Sequence, residues 1–401
     1  MTSPFRLSPL NPPPPPPPSQ NLPLHPDRPK PESKEIGGDC ENRDRIHITS
    51  PFWDLQLNGR WGWSFSDPEI PLDVVGRLIR RLAARGVGKF CPTFITASSE
   101  ILAQALERLG EALSLDSWLS DRVAGFHLEG PMISPRDGYR GAHPLEAVRA
   151  LRLDEFDRLQ ERAGGRIVLV TLAPEWPEAL ETIAGLKERG VVVALGHTAA
   201  DGERIAQAVE AGATLSTHLG NGLAAELPRH PNPIWIQGAE DRLMASLIAD
   251  GLHLDDATLT CLWRIKGPER TILVSDDSPL AGCPPGQYGP WWVDEQGTVR
   301  VVGTSYLAGA NLDLIDAVNR LINVAGASLD QALACVTTNP ARLLGRTVDP
   351  GDYVELEWDR TSGLWSVRGG EIGGRRFQNP TTPNRRDRMN SWREEPEAIW
   401  D

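Results

Sequence analysis

The run VVVALGHTAADGERIAQAVEAGATLSTHLG, residues 191–220, decides how the rest of the chain is read. VVVALG (191–196) and TLSTHLG (214–220) are short, apolar and rich in β-branched residues, as strands are. Between them DGERIAQAVEAG (201–212) carries its apolar residues at helical spacing and stops on Gly212, a common helix terminator. Strand, helix and strand within so short a span predict two parallel strands joined by a helical crossover. Working outward, the same kind of run recurs at FWDLQLN (52–58), KFCPTFI (89–95), VAGFHLE (123–129) and IVLVTLA (167–173). It returns at MASLIAD (244–250) and TILVSD (271–276), which makes eight strands in all. Helical periodicity fills the gaps, as in LDVVGRLIRRLAARG (72–86) and EILAQALERLGEAL (100–113). Several strands are apolar almost throughout, the pattern of strands covered on both faces. The expectation is an α/β protein, a (β/α)8 TIM-type barrel, whose usual size is about 250 residues. A doubly wound open sheet is the alternative, but no GxGxxG or GxxxxGK(S/T) phosphate loop follows any strand to support it.

The flanks differ in composition. Thirteen of the 35 prolines lie within the first 33 residues, including the unbroken run Pro12 to Pro18. Residues 1–45 are therefore expected to form a disordered, proline-rich tail, with an SH3- or WW-type ligand as the alternative. The barrel is expected over 46–346. GDYVELEWD, LWSVRGG and EIGGRRF predict a small, reduced β satellite within 347–378, and residues 379–401 read as a polar C-terminal tail. Between the eighth strand and its helix, GCPPGQYGPWWVDEQGTVRVVG (282–303) predicts a small β-hairpin above the barrel mouth, turning at Gln296-Gly297.

Forty-one Lys and Arg stand against 54 Asp and Glu, a net charge of −13 with a pI near 5.2. That balance argues against nucleic acid as a partner, since phosphate backbones are bound by Lys and Arg. No stretch approaches the roughly 18 continuous apolar residues of a membrane span, and the N-terminus lacks the apolar core of a signal peptide. Cys40, Cys91, Cys261, Cys283 and Cys335 are odd in number and form no Cys-x-x-Cys. They predict a reduced, cytoplasmic chain with neither a disulfide framework nor a thiolate zinc site.

The polar residues are informative by position, because barrel active sites are built at the C-terminal ends of strands. Glu129 ends the third strand, His197 follows the fifth, His218 ends the sixth, His253 follows the seventh and Asp276 ends the eighth. His143 lies in the loop after the third strand. Two imidazoles and one carboxylate from different strands suit a divalent metal such as zinc, with one position left open. Glu129, His197 and His218 are assigned as those ligands; the bland alternative makes each histidine a core residue bonded to a backbone carbonyl. His127, two residues before Glu129, reads as a barrel-interior or supporting residue. Asp276 is the candidate general base and acid, chosen over Asp277 because strand alternation from Leu273 carries it to the rim. An N-cap or salt-bridge carboxylate is its bland alternative.

Seven segments, FHLEGPMISPRDGYRGAHP (126–144), LGHTAA (195–200), THLGNGL (217–223), IADGLHL (248–254), LVSDDSPLAG (273–282), GTSYLAGANL (303–312) and TTNPARLLG (337–345), occur in order. Together they strongly resemble the N-acetylglucosamine-6-phosphate deacetylases of the amidohydrolase superfamily, from about residue 50 to about 345. The resemblance implies a metal-dependent barrel hydrolase that removes acetate from N-acetylglucosamine 6-phosphate. It matches Glu129, His197 and His218 to the metal ligands and Asp276 to the catalytic acid/base. It matches His143 to a histidine that contacts the amide carbonyl and stabilises the oxyanion. His253, Gly220 and Asn221 match sugar-phosphate contacts, and Arg229 is the candidate phosphate-binding arginine, often supplied by a neighbouring subunit in a homodimer. Asp54-Leu55-Gln56-Leu57-Asn58-Gly59 stands where many amidohydrolases carry His-x-His, so one metal is expected, zinc first and Fe2+ or another divalent ion next. Gln56 and Asn58 read either as filler at the mouth or as support for the metal site.

The chain also departs from the family. The usual N-terminal strand-rich segment is replaced by the proline-rich tail, which predicts a partial or absent β-sandwich with exposed strand edges. Gly220, Gly222 and Leu223 replace larger residues, and Asp277 replaces a small one. These changes keep open a related amidohydrolase acting on another N-acetyl amino sugar, or a catalytically silent barrel used for binding.

Overall fold

A computed structural model describes residues 46–379 and 399–400 of the chain. The expected tail 1–45 and residues 380–398 and 401 lie outside the described residues, and with them the proline run. Eight strands form one sheet: β1 (Phe52–Leu57), β2 (Val87–Ile95), β3 (Phe126–Glu129), β4 (Ile167–Leu172), β5 (Val192–Leu195), β6 (Ala213–Ser216), β7 (Met244–Leu247) and β8 (Thr271–Leu273). Each pairs in parallel with the next in chain order. The ends of the sheet meet at a seam where Asp276 N donates to Gln56 O at 2.9 Å and Asn58 N to Asp277 O at 3.1 Å. A parallel bridge joins Leu57 to Asp277 there, so the sheet is a nearly closed barrel and not an open doubly wound one.

Helices cover the outside, which is why β1 is buried at every residue. Ser98 caps Ser99–Ser114, Asp201 caps Gly202–Ala211 and Asp255 caps Asp256–Arg270, each accepting a backbone N–H of the first turn. The helix after β5 ends at Gly212, where the sequence places its stop. Two strands are shorter than the sequence implies. β6 ends at Ser216 and β8 at Leu273, because His218 (φ 32°) and Asp276 (φ 47°) adopt left-handed backbone that no strand continues through. Asp276 therefore reaches the rim by a turn, not by the strand alternation expected of residues 273–276.

Above the mouth stands a three-stranded antiparallel sheet, Gly286–Tyr288, Trp291–Val293 and Val299–Val301, with its own small core of Leu280, Tyr288, Val293 and Val299. The expected hairpin is its last two strands; Asp294 Oδ1 accepts from Gln296 N and Thr298 N and fixes the turn. The strand Gly286–Tyr288 was not foreseen.

The satellite is a five-stranded antiparallel sheet, not three segments. Its order is Ile46–Thr49, Tyr353–Asp359, Leu364–Ile372, Arg375–Gln378 and Ile399–Trp400. Residues 46–49, assigned on sequence to the barrel, and 399–400, assigned to the tail, both pair into it. Four residues and two residues are too short for period-two patterning to reveal them. Val354, Leu356, Ile372 and Phe377 pack into the main core, while Ile46 and Ile48 on the edge strand are 43% and 65% exposed.

One buried cation secures the wall between β6 and β7. Lys266, 1% exposed, donates from Nζ to the carbonyls of Gln237 (2.6 Å), Glu240 (2.9 Å) and Leu243 (2.9 Å), just past the helix Pro233–Ala239. Lys266→Met keeps the apolar stem and removes all three donors. It should destabilise the fold by about 2–4 kcal/mol, read from the urea midpoint, because the buried carbonyls of Gln237 and Leu243 lose this donor while Glu240 O keeps only Leu243 N.

Candidate metal centre

Four described non-glycine residues have positive φ, and three of them are His197, His218 and Asp276. Such strain gathers where a site over-determines its backbone. Here it turns side chains from the ends of β5, β6 and β8 inward over the barrel, toward Glu129 at the end of β3. His218 N is held by Ser246 Oγ of β7 at 2.7 Å. His197 is bracketed by Gly141 and Gly222. A Cβ at Gly222 would lie 2.8 Å from His197 Nδ1, so only glycine leaves this imidazole its place.

Three donor atoms converge. Glu129 Oε1 is 3.1 Å from His218 Nε2 and 3.4 Å from His197 Nε2, and the two nitrogens are 3.1 Å apart. A tetrahedral ion with bonds of about 2.0–2.1 Å sets its donors roughly 3.3 Å from one another, so these three side chains fit a shared divalent cation. His197 Nδ1 lies 2.9 Å from Tyr139 O; its proton belongs there, which leaves the Nε2 lone pair facing the centre. His218 Nδ1 is buried with no hydrogen-bond partner among the described residues. A wider triad of Glu129, His143 and His197 has donor atoms within 4.8 Å, with His143 Nε2 4.0 Å from Glu129 Oε2. That spacing puts His143 beside the centre, its ring edge-on to His197 at 4.5 Å and its Nδ1 2.9 Å from Thr96 Oγ1.

Burial opposes the charge of Glu129, but the close approach of the His197 and His218 imidazoles, with His143 nearby, holds its pKa well below the usual carboxylate range. Burial, aided by His197, pushes His143 down to about 3. Burial and then the charge of Glu129 raise Asp276 to about 6.

The first strand supplies neutral amides that aim both carboxylates. Gln56 Nε2 donates to Glu129 Oε1 at 2.9 Å, and Asn58 Nδ2 donates to Asp276 Oδ1 at 2.8 Å. Neither is filler. Asp277 faces the other way, fully buried, with Arg60 Nη1 at 2.5 Å and Leu312 N at 2.8 Å. Arg60 also meets Asp313 at 3.0 Å, and Arg85 meets Asp313 at 2.8 Å. His127 lies deeper in the barrel, bonded to Leu55 O (3.1 Å) and Thr171 Oγ1 (2.7 Å), and burial lowers it to about 4.

The remaining predicted residues divide. His253 Nδ1 lies 2.7 Å from Asp250 Oδ2 and lines a small cavity with Asp250, Gln296, Thr298 and Asn311. Asn221, after Gly220, donates its N–H to His218 O at 2.9 Å, and its buried Nδ2 has no partner among the described residues. Arg229 stands exposed on the loop after β6; no hydrogen bond or ion pair joins it to these side chains among the described residues. Sequence reading missed Thr96, one residue past β2, which the strand-end rule could have found, and Tyr139, which acts through its carbonyl and leaves no side-chain signal. Across the mouth, Tyr306 OH donates to Asp137 Oδ2 at 3.0 Å, joining the loop after β8 to the loop after β3.

An eight-stranded barrel with a carboxylate and two imidazoles on its C-terminal rim is the framework of metal-dependent hydrolases. A profile described as "Amidohydrolase family" matches residues 46–353. The chain belongs to the amidohydrolase family. It is 35% identical over 342 residues to the N-acetylglucosamine-6-phosphate deacetylase of Homo sapiens, covering 80% of this chain and 81% of that one. It is 33% identical to the N-acetylgalactosamine-6-phosphate deacetylase of Escherichia coli O157:H7 over 307 residues, 76% of this chain and 79% of that one. The crystal structure of N-acetyl-D-glucosamine-6-phosphate deacetylase from Mycobacterium smegmatis superposes with a TM-score of 0.74 at 29% identity, covering 84% of this chain and 90% of that chain.

Asn58→Leu tests the aim of Asp276. Losing a donor to the ionised carboxylate raises its pKa, so an acidic limb of a kcat/KM profile set by Asp276 should move to higher pH. A limb that stays in place would show that Asn58 does not act on Asp276.

Proposed function

We propose that the chain is a metal-dependent hydrolase that removes acetate from N-acetylglucosamine 6-phosphate, giving glucosamine 6-phosphate. One observation carries this reading: three donor atoms within 3.4 Å of each other stand beside a separate buried carboxylate, Asp276, that Asn58 holds in place. Glu129, His197 and His218 would hold the ion, which when bound acts as a Lewis acid and lowers the pKa of water. Zinc heads the candidates because two imidazoles and a carboxylate with an open position suit it.

Asp276 takes the proton of the attacking water and returns it to the departing amine; a pKa near 6 suits both directions close to neutrality. His143 is kept neutral by burial. His143 Nδ1 lies 2.9 Å from Thr96 Oγ1, whose hydroxyl also reaches Glu129 O at 3.3 Å; the tautomer with its proton on Nε2, on the Glu129 side, is the one that donates to the carbonyl oxygen. Such a donor to a developing oxyanion is worth about 3–4 kcal/mol. His253, Gly220 and Asn221 are read as sugar-phosphate contacts. The unpartnered Asn221 Nδ2 supports this, as a buried donor awaiting an acceptor.

Arg229 favours a second reading of the substrate. Exposed, and joined to these side chains by no hydrogen bond or ion pair among the described residues, it is assigned to a phosphate bound across a homodimer, as the family resemblance suggests; the second reading is a substrate without the 6-phosphate. We place the enzyme in the cytoplasm on the thiol pattern; among described residues no helix is long and apolar enough to cross a membrane.

The test is acetate release by zinc-loaded protein from N-acetylglucosamine 6-phosphate, its galacto epimer and unphosphorylated N-acetylglucosamine, with sedimentation to fix the subunit count. Activity on none of them would end this reading. Asp276→Asn should retain zinc and fold yet lose turnover by about 10²–10⁴-fold; undiminished acetate release would remove Asp276 from its role.

A further inference from the structure

Glu175 lies in the loop after β4, outside the residues given roles above. Its two carboxylate oxygens are spent on the residues that follow His197: Oε2 accepts from Thr198 Oγ1 at 2.6 Å and Oε1 from Ala199 N at 2.9 Å. Thr198 Oγ1 in turn accepts from Ala200 N at 3.0 Å, and Thr198 is only 1% exposed. The carboxylate thus grips the backbone immediately beyond a residue at φ 51°.

The grip comes from a fixed support. Arg204, on the helix Gly202–Ala211 that follows the turn, donates to Pro174 O at 2.5 Å and Trp176 O at 2.7 Å, on either side of Glu175. Trp176 Nε1 donates to Ile133 O at 2.9 Å, and Ala173 N donates to Met132 O at 2.7 Å. The loop that carries Glu175 is therefore tied to the segment after β3 and to the helix after the His197 turn. Left-handed backbone is disfavoured for a residue with a side chain, so the turn needs such external bonds to persist.

We infer that Glu175 is a positioning residue that holds the His197 turn in the geometry required for metal binding. The inference rests on the metal-hydrolase reading of the site. Residues that orient a ligand from behind commonly set metal affinity by 10–100-fold. Glu175 does so through backbone, whereas Tyr139 O acts on the imidazole itself.

The experiment measures zinc affinity of the full chain by chelator competition, alongside the thermal midpoint of the metal-free protein. Glu175→Ala should weaken zinc binding about 10–100-fold while the metal-free midpoint changes little. Glu175→Gln still offers an oxygen to Ala199 N and an N–H to Thr198 Oγ1, and should keep most of the affinity. Thr198→Val removes one of the two bonds; its intermediate loss tests the inference even if the Ala variant does not fold. Parental zinc affinity in Glu175→Ala or Thr198→Val overturns the inference, as does Glu175→Gln binding no better than Ala. A fall in the metal-free midpoint with affinity unchanged also overturns it, by assigning Glu175 to stability alone. Parent protein that takes up no stoichiometric zinc overturns the metal reading and this inference together. Parent that binds zinc and releases acetate beside an unaffected Glu175→Ala overturns this inference only.

Discussion

One carboxylate oxygen organises the site. Oε1 of Glu129 has Gln56 Nε2 at 2.9 Å, His218 Nε2 at 3.1 Å and His197 Nε2 at 3.4 Å, all buried. A buried charge must be compensated. The Gln56 amide supplies one hydrogen bond, but two imidazole nitrogens 3.1 Å apart cannot both present protons to each other. A cation held by these three side chains, as proposed, would resolve the crowding by turning three mutually awkward lone-pair carriers into ligands. The left-handed turns at His197 and His218 bring both nitrogens to the same oxygen.

The seam of the barrel serves the same end. β1 and β8 are joined by few backbone bonds, and the side chains make up the difference: Asn58 reaches Asp276, and Arg60 ties Asp277 to Asp313. Removing one partner of a buried ion pair typically costs 3–5 kcal/mol. Asp277, a departure from the family pattern, thus becomes part of a clamp that faces away from Asp276 and Glu129.

The barrel and the placement of Glu129, His143, His197, His218, His253 and Asp276 on its rim were legible because strand periodicity and the strand-end rule are local. What was not legible depended on distance in sequence. Asn58 and Asp276 are 218 residues apart, and nothing in either segment names the other. Asp276 stands at the rim and Asp277 faces Arg60, but a turn and not strand alternation sets them apart. The satellite sheet grew from three strands to five because its outer strands, Ile46–Thr49 and Ile399–Trp400, are too short to carry a pattern. Gly222 looked like the loss of a larger side chain; packed against His197, it is the absence of one that would collide.

The hydrogen bond from Tyr306 to Asp137 lies in solvent, where water competes for both partners. A tie that water can replace is the latch of a swing door and not a bolt between the loops after β3 and β8.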